Sequence, residues 1–253
     1  LVLVPLVHRY DRDIQSAGQT VEIPQLSNLT ANLKVANTQV TLNAPTETKK
    51  TITINQYYEC SVLIEDIVDW QAAYDLAALY TEKAGYAIAE KMDNYVAVTM
   101  TAAGTYTIGQ YGAVLNDQVI LAANRYLDDA KAPGGNRSFA VSPQGKQEML
   151  NIDKYIRYDA IGVGGTQNSI MNGQIGEIYG VKVFMSQNLV VTAATPTQNN
   201  HLFFHKDGMG LAVQKNVKLE SQRKTEYLGT LYVSQALWGG VVTRADHIVT
   251  IKS

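Results

Sequence analysis

The longest regular pattern in the chain runs from Glu65 to Met100, where larger apolar residues recur at Ile67, Trp70, Tyr74, Ala77, Ala84, Ile88, Met92 and Tyr95 with no proline between them. Spacings of three and four predict a helix, over Asp66 to Val98. Asp66 is the expected N-cap, and Asp69 lies three places on, where a carboxylate meets free N–H groups and the positive end of the dipole. A rod of about 30 residues at about 1.5 Å each is roughly 45 Å long. That is longer than a small domain is wide, so the rest of the chain is expected to lie along it as an extended body. Alanine and tyrosine stand where a coiled coil would repeat Leu, Ile or Val, which argues against a coiled coil.

Before this helix the period changes to two. Thr20 to Pro24, Lys34 to Leu42 and Lys50 to Tyr57 alternate, with Val35, Val40, Leu42, Ile52 and Ile54 as strand formers. Polar, threonine-rich segments separate them. The apolar stripe is thin, so these segments predict a long projecting ribbon that needs a neighbour to be stable, with an ordinary hairpin on the edge of a domain sheet as the alternative. Tyr57 to Ile64 is a more apolar strand leading into the helix.

After the helix, Gly104 and Gly109 mark a turn, and Val114 to Lys131 has a second helical rhythm closed by Pro133, Gly134 and Gly135. Asp128 and Asp129 sit unfavourably at its negative end. Phe139 to Val141 predicts a strand, and Ser142 with Pro143 predicts the capped start of a helix through Ile152. Glycines 162, 164, 165, 173, 176 and 180 punctuate short strands, clearest at Val181 to Met185, and Ala193 to Asn200 reads as a polar loop. His201 to Phe204, Gly210 to Gln214, Tyr227 to Trp238 and His247 to Ile251 read as further strands. Without regular strand–helix alternation or an internal repeat, the class is α+β.

Composition narrows the chemistry. The chain has 253 residues, a formal charge of −2 and one cysteine, Cys60. Interspersed charges do not predict a nucleic-acid groove or a membrane-surface face, one cysteine excludes an internal disulfide and fits a reducing compartment, and no apolar run approaches a membrane span. The opening LVLVPLV lacks the marks of a signal peptide, and the leucine start suggests a processed product or a missing upstream segment. Gly162-Val-Gly-Gly165 lacks the spacing of a phosphate loop, as does Gly145-Lys146. His201 and His205 flank an apolar strand, about 13 Å apart on one face, too far for one zinc ion, and a structural or surface role is expected for both. His8 belongs on a salt-bridged or solvated face, and His247 opens the final strand. Cys60 reads as a buried, inert thiol. No catalytic, cofactor-binding or metal-ligating residue is assigned, and no cofactor is expected. Fifteen tyrosines suit core and interface anchoring.

Taken in order, these segments resemble the HK97-like major capsid proteins of tailed double-stranded DNA bacteriophages. The resemblance rests on Tyr57 to Asp66 leading into the helix, Gly85-Tyr-Ala-Ile-Ala-Glu-Lys-Met-Asp93 within it, Ile178 to Leu189, and Phe204 to Lys215. It implies an α+β chain with an N-terminal arm over 1–18, an extended β loop over 19–58, a peripheral domain over 59–105 holding the long spine helix, and an axial domain over 106–200. A return to the peripheral domain follows over 201–228, with terminal strands shared with the axial domain over 229–253.

The resemblance also implies a structural protein, not an enzyme. Homo-hexamers and homo-pentamers would form an icosahedral shell with the help of scaffolding, a portal and in some shells a decoration protein, around double-stranded DNA held without sequence-specific binding. The place would be the virion capsid, assembled in the host cytoplasm, with no membrane involved. Some relatives crosslink a loop lysine to an asparagine. Lys34, Lys49 and Lys50 lie in the matching region, and no sequence rule selects an asparagine. An encapsulin-type compartment shares this architecture and is the alternative reading; a soluble enzyme is the more distant one.

Overall fold

The computed structural model describes residues 1–11, 18–26, 29–40, 42–45, 47–152, 176–192 and 198–253. The glycines at 162, 164, 165 and 173, most of the expected arm beyond Tyr10 and most of the expected 193–200 loop lie outside them. Two sheets and a ribbon make the frame. The smaller sheet has the order β1 (His8–Arg9), β11 (Met209–Lys224), β12 (Gly229–Val242), β4 (Gln56–Glu65). The larger runs β5 (Tyr106–Gly109), β13 (Ile248–Lys252), β10 (Gln198–His205), β6 (Arg137–Val141), β8 (Val181–Met185), β7 (Glu177–Ile178), with β9 (Val190–Thr192) also on β10. β2 (Thr20–Leu26) and β3 (Glu47–Thr53) form the ribbon.

The central strand β10 alternates in the way a strand covered on both faces must. Leu202 and Phe204 join the core under helix α2 (Leu76–Ala103), and Phe203 joins the core under α3 (Asp117–Asp129) and α4 (Pro143–Leu150). The α2 side is filled by Ile88, Met92, Val96 and Met100, one per helical turn, against Leu211, Trp238 and Ile248.

The expected single rod is in fact two helices. α1 (Asp66–Gln71) ends at Ala72, whose ψ of 141° is extended, and α2 starts again at Leu76. Asp75 supplies the break, because its carboxylate accepts the Ala78 N–H at 3.1 Å and acts as a fresh N-cap. Asp66 is not a cap: Glu65 holds that position without a side-chain bond, and Asp66 is the first helical residue, gripped by both terminal nitrogens of Arg223. That guanidinium holds its carboxyl below the usual range. α2 also continues to Ala103, where Gly104 donates to Met100 O at 2.9 Å and a Cβ in its place would meet Ile248 Cγ2 at 3.1 Å.

Other segments differ locally. Among its described residues Lys34 to Leu42 carries no strand; β2 pairs with β3 instead, from Thr20 opposite Thr53 to Leu26 opposite Glu47. Val40 and Leu42, 64% and 86% exposed, have no surface among the described residues to pack on, and strand propensity without a packed face does not make a strand. Gln198 to Asn200, expected in a loop, begin β10, where Asn199 exchanges two backbone hydrogen bonds with Ser253. Tyr227 belongs to the 225–227 turn before β12. Asp128, unfavourable at the end of α3, is neutralised by the buried Arg137 at 2.7 Å. Ser142 caps α4 as its sequence predicts, accepting the Gly145 N–H at 3.0 Å.

The expected N-terminal arm begins as part of the core. Leu3, Val4 and Val7 are buried against α2, and the N–H groups of Val2, Leu3 and Val4 donate to the carboxylate of Asp93 at 2.6, 3.1 and 3.2 Å. Asp93 is itself 4% exposed, and these donors replace the water it gives up. Asp93→Ala leaves them without that acceptor and undocks Val2 to Val7, and we expect a loss of about 2 to 4 kcal/mol in urea unfolding, with a smaller loss for Asp93→Asn.

Candidate functional site

The titratable residues that could carry chemistry fall in two buried places. At the first, the strand β10 directs His201 onto the first turn of α4, where Gly145 leaves room that a Cβ would fill. The Ser142 N–H donates to His201 Nδ1 at 3.2 Å, so the ring carries its proton on Nε2 and donates it to Ser253 Oγ at 2.8 Å. A serine and a histidine therefore do meet, with Ser253 supplied by the end of β13 and not foreseen from sequence. The polarity is the reverse of nucleophile activation, in which the ring nitrogen must accept the hydroxyl proton. His201 is fully buried, and desolvation lowers its pKa to about 4.

At the second place, His205 and His247 pack edge to face with centroids 5.7 Å apart. Both are 3% exposed, so of the structural and surface roles open to His205 the structure gives the structural one, and His247 lies in the 245–247 turn just before β13 and does not open the strand. The two are brought together because β10 and β13 are antiparallel neighbours, a tertiary pairing with no local sequence signal. His205 Nδ1 accepts the Asp207 N–H at 3.2 Å, and Asp207 Oδ1 meets His8 Nδ1, also at 3.2 Å, so His8 is on the half-exposed ion-paired face expected of it. Cys60 is half-buried on β4 beside the α2 core. Among the described residues no group of three His, Cys, Asp or Glu could hold a metal ion. A groove of about 320 Å³ runs along α2 between Asn94, Val98, Thr101, Leu189 and Asn200, with no titratable side chain in its lining.

The largest unexplained features are exposed and apolar. In α1 and the segment after it, Ile67, Val68, Trp70 and Tyr74 are 58, 50, 82 and 69% exposed, and α1 buries nothing. In the ribbon loop Leu29, Leu33, Val35, Val40 and Leu42 are exposed, Leu33 at 95%. Such apolar surface marks a site of association. Lys34 is folded back on Val35 O and Thr38 O, and Lys49 pairs with Glu22. Among the described residues no helix is long and apolar enough to cross a membrane.

A depressed histidine pKa makes a pH prediction. The unfolded chain binds more protons than the folded one between about pH 6.5 and about pH 4, so the contribution of neutral His201 is present above 6.5 and is lost as pH falls toward 4. At about 1.4 kcal/mol per unit this is about 3 kcal/mol. Urea unfolding followed from about pH 7 to about pH 4 should show that loss, and His201→Asn should have a shallower acid slope.

The family model described as "Phage capsid protein" matches residues 11–253. No curated protein matches the chain. Among solved structures it is similar to that of Mycobacterium phage Che8, at 24% identity and a TM-score of 0.81, covering 99% of this chain and 90% of that one. The capsid structure of the Cyanophage P-SCSP1u has 20% identity and a TM-score of 0.79, with 99% and 88% covered. The capsid of Ralstonia phage GP4 has 12% identity and a TM-score of 0.70, with 98% and 87% covered. These structures share the fold from the ribbon to the last strand, and with the family model matching all but the first ten residues the chain belongs to the phage capsid protein family.

Proposed function

We propose that this major capsid protein forms homo-hexamers and homo-pentamers in an icosahedral shell around double-stranded DNA, in the virion capsid, after assembly in the host cytoplasm. The observation that carries the reading is the apolar surface on α1 and the ribbon loop, which none of the described residues of the same subunit covers. A shell protein needs such faces, because a neighbouring copy completes them. Scaffolding, a portal and a decoration protein are the further partners, and the DNA is held without base recognition. The chain acts as a structural protein without turnover, and the orientation of the His201 proton supports this.

The smaller sheet with α1 and α2 is the peripheral domain, the larger sheet with α3 and α4 the axial domain, and residues 19–58 the extended loop. Sheet membership favours moving the boundaries expected at 201 and 229 to the turns after β10 and β12, since β11 and β12 pair with each other and β12 with β4. Residues 1–7 serve as a strap on α2.

Two experiments test the proposal. Replacing residues 29–45 by a short turn keeps the root of the ribbon, where Val21, Ile23 and Ile52 pack on Ala212. The variant should retain subunit circular dichroism and lose the megadalton particles seen by sedimentation; normal particles would refute the role of the loop. Trp70→Ala removes a side chain that is 82% exposed, so subunit stability should change by less than about 0.5 kcal/mol. As an interface aromatic its loss should weaken assembly by about 2 kcal/mol, read as a raised critical concentration for particles. Particles that hold a genome support the phage shell, whereas a dedicated enzyme inside would support the compartment reading.

A further inference from the structure

The chain crosses between the two sheets twice in the C-terminal part, and both crossings lie side by side. β10 leaves the larger sheet through Lys206–Gly208 to become β11, and β12 leaves the smaller sheet through residues 243–247 to become β13. The backbone N–H groups of Thr243 and Arg244 both donate to Gly208 O, at 3.0 and 3.2 Å, and the Thr243 hydroxyl donates to Asp207 O. Two distant segments are fastened here as well. His8 meets Asp207, and Gln25 of the ribbon donates to Thr243 O at 2.6 Å.

The His205 and His247 rings lie in this joint, nearly perpendicular at 89°. Both ring nitrogens of His247 are buried without a hydrogen-bond partner among the described residues; the Asp246 carboxylate is 3.8 Å from Nε2, outside hydrogen-bond reach. A buried unpartnered ring nitrogen is costly, and a protonated ring there would be costlier. The charged and titratable groups facing His247 are Asp246 and Arg244 on its own turn, and His205 and Asp207 on the other crossing, with His8 behind Asp207. Burial is the strongest influence and lowers its pKa; Arg244 and His205 act in the same direction, and the two aspartates against it.

We propose that His205 and His247 form a proton-operated latch between the two sheets, closed while the His247 ring is neutral and packed on His205, and opened when His247 takes a proton and turns toward water and the Asp246 carboxylate. Opening frees the 206–208 and 243–247 turns from each other and loosens the His8 and Gln25 attachments. α2 lies across both sheets, so the result is a change in their angle and not their separation. The latch belongs to one subunit and does not depend on assembly.

Hydrogen exchange of the purified protein, corrected for the intrinsic effect of pH, tests this. On acidification below about pH 6.5, the open population should rise by about ten-fold per pH unit until the pKa of the closed state is reached. Beyond the fold-wide decline that His201 imposes, the additional loss of protection should be confined to peptides covering 206–211 and 242–247, with 201–204 and 249–251 remaining the better protected. The imidazole signal of His247 should titrate over the same pH range. In His247→Phe, which keeps the ring shape and removes the unpartnered nitrogens, the acid step should disappear. Unchanged protection, equal loss throughout both sheets, or a step that persists in the phenylalanine variant would overturn the proposal. The coincidence of ring titration and local exchange in the unsubstituted protein needs no variant, so a His247→Phe chain that failed to fold would leave that comparison to decide, and titration without local exchange would also overturn it.

Discussion

The apolar stripe Ile88, Met92, Val96 and Met100 on α2 has to serve two sheets at once, and the arrangement of the subunit follows from that. Strands β11 and β12 of one sheet and β10 and β13 of the other bring Leu211, Trp238, Phe204 and Ile248 to the same helix face. Each buried aliphatic or aromatic side chain contributes about 1.5 to 3 kcal/mol, so a helix spanning both sheets joins them more firmly than the two short turns do. The N-terminal segment closes the remaining side of this core. Asp93 makes that closure specific, because a carboxylate on the apolar face of a helix is tolerable only where donors meet it.

Elements with a strong local period were legible in the sequence: α3, α4 with its Ser142 cap, β8, and the strand from Tyr57 to Ile64. The ends of the long helix were less so, since Asp75 looks like any acid in a helical rhythm until its carboxylate is seen on the Ala78 N–H. Lys34 to Leu42 alternates like a strand, and its described residues form none, for a physical reason. Alternation records which side chains would share a face, and it carries no information about whether anything in the same chain covers that face. Asp93 could have been found from sequence, as an acid beside Met92 and Val96 in the buried stripe. The pairings of His201 with Ser253 and of His205 with His247 could not, because they depend on the antiparallel register of β10 and β13.

The same register explains why the buried histidines are not interchangeable. His201 has a backbone donor on one nitrogen and a serine on the other, so its neutral tautomer is fixed and satisfied. His247 has neither. A satisfied neutral ring stabilises the closed strand pair, whereas an unsatisfied one leaves local opening less opposed, since water restores the hydrogen bonds that the fold withholds. The second ring sits where the chain passes between sheets, which is where a small local change has the greatest lever on their relative angle.

Surface left open by the subunit follows a similar logic. The five aliphatic residues of the ribbon loop and the aromatic face of α1 and Tyr74 are on opposite sides of the same difficulty: folded alone, the subunit gains nothing from them. Covering them on a neighbour removes apolar area from water, and part of that gain is offset by ordering the loop and by lost rigid-body freedom. Each contact can therefore be weak. A subunit held through several such contacts is nevertheless firmly bound, because once one is made the others form at high effective concentration. Weak single contacts also allow a wrongly placed copy to leave before the rest engage, so the exposed side chains that fit poorly with a solitary globule are suited to a closed, repeating assembly.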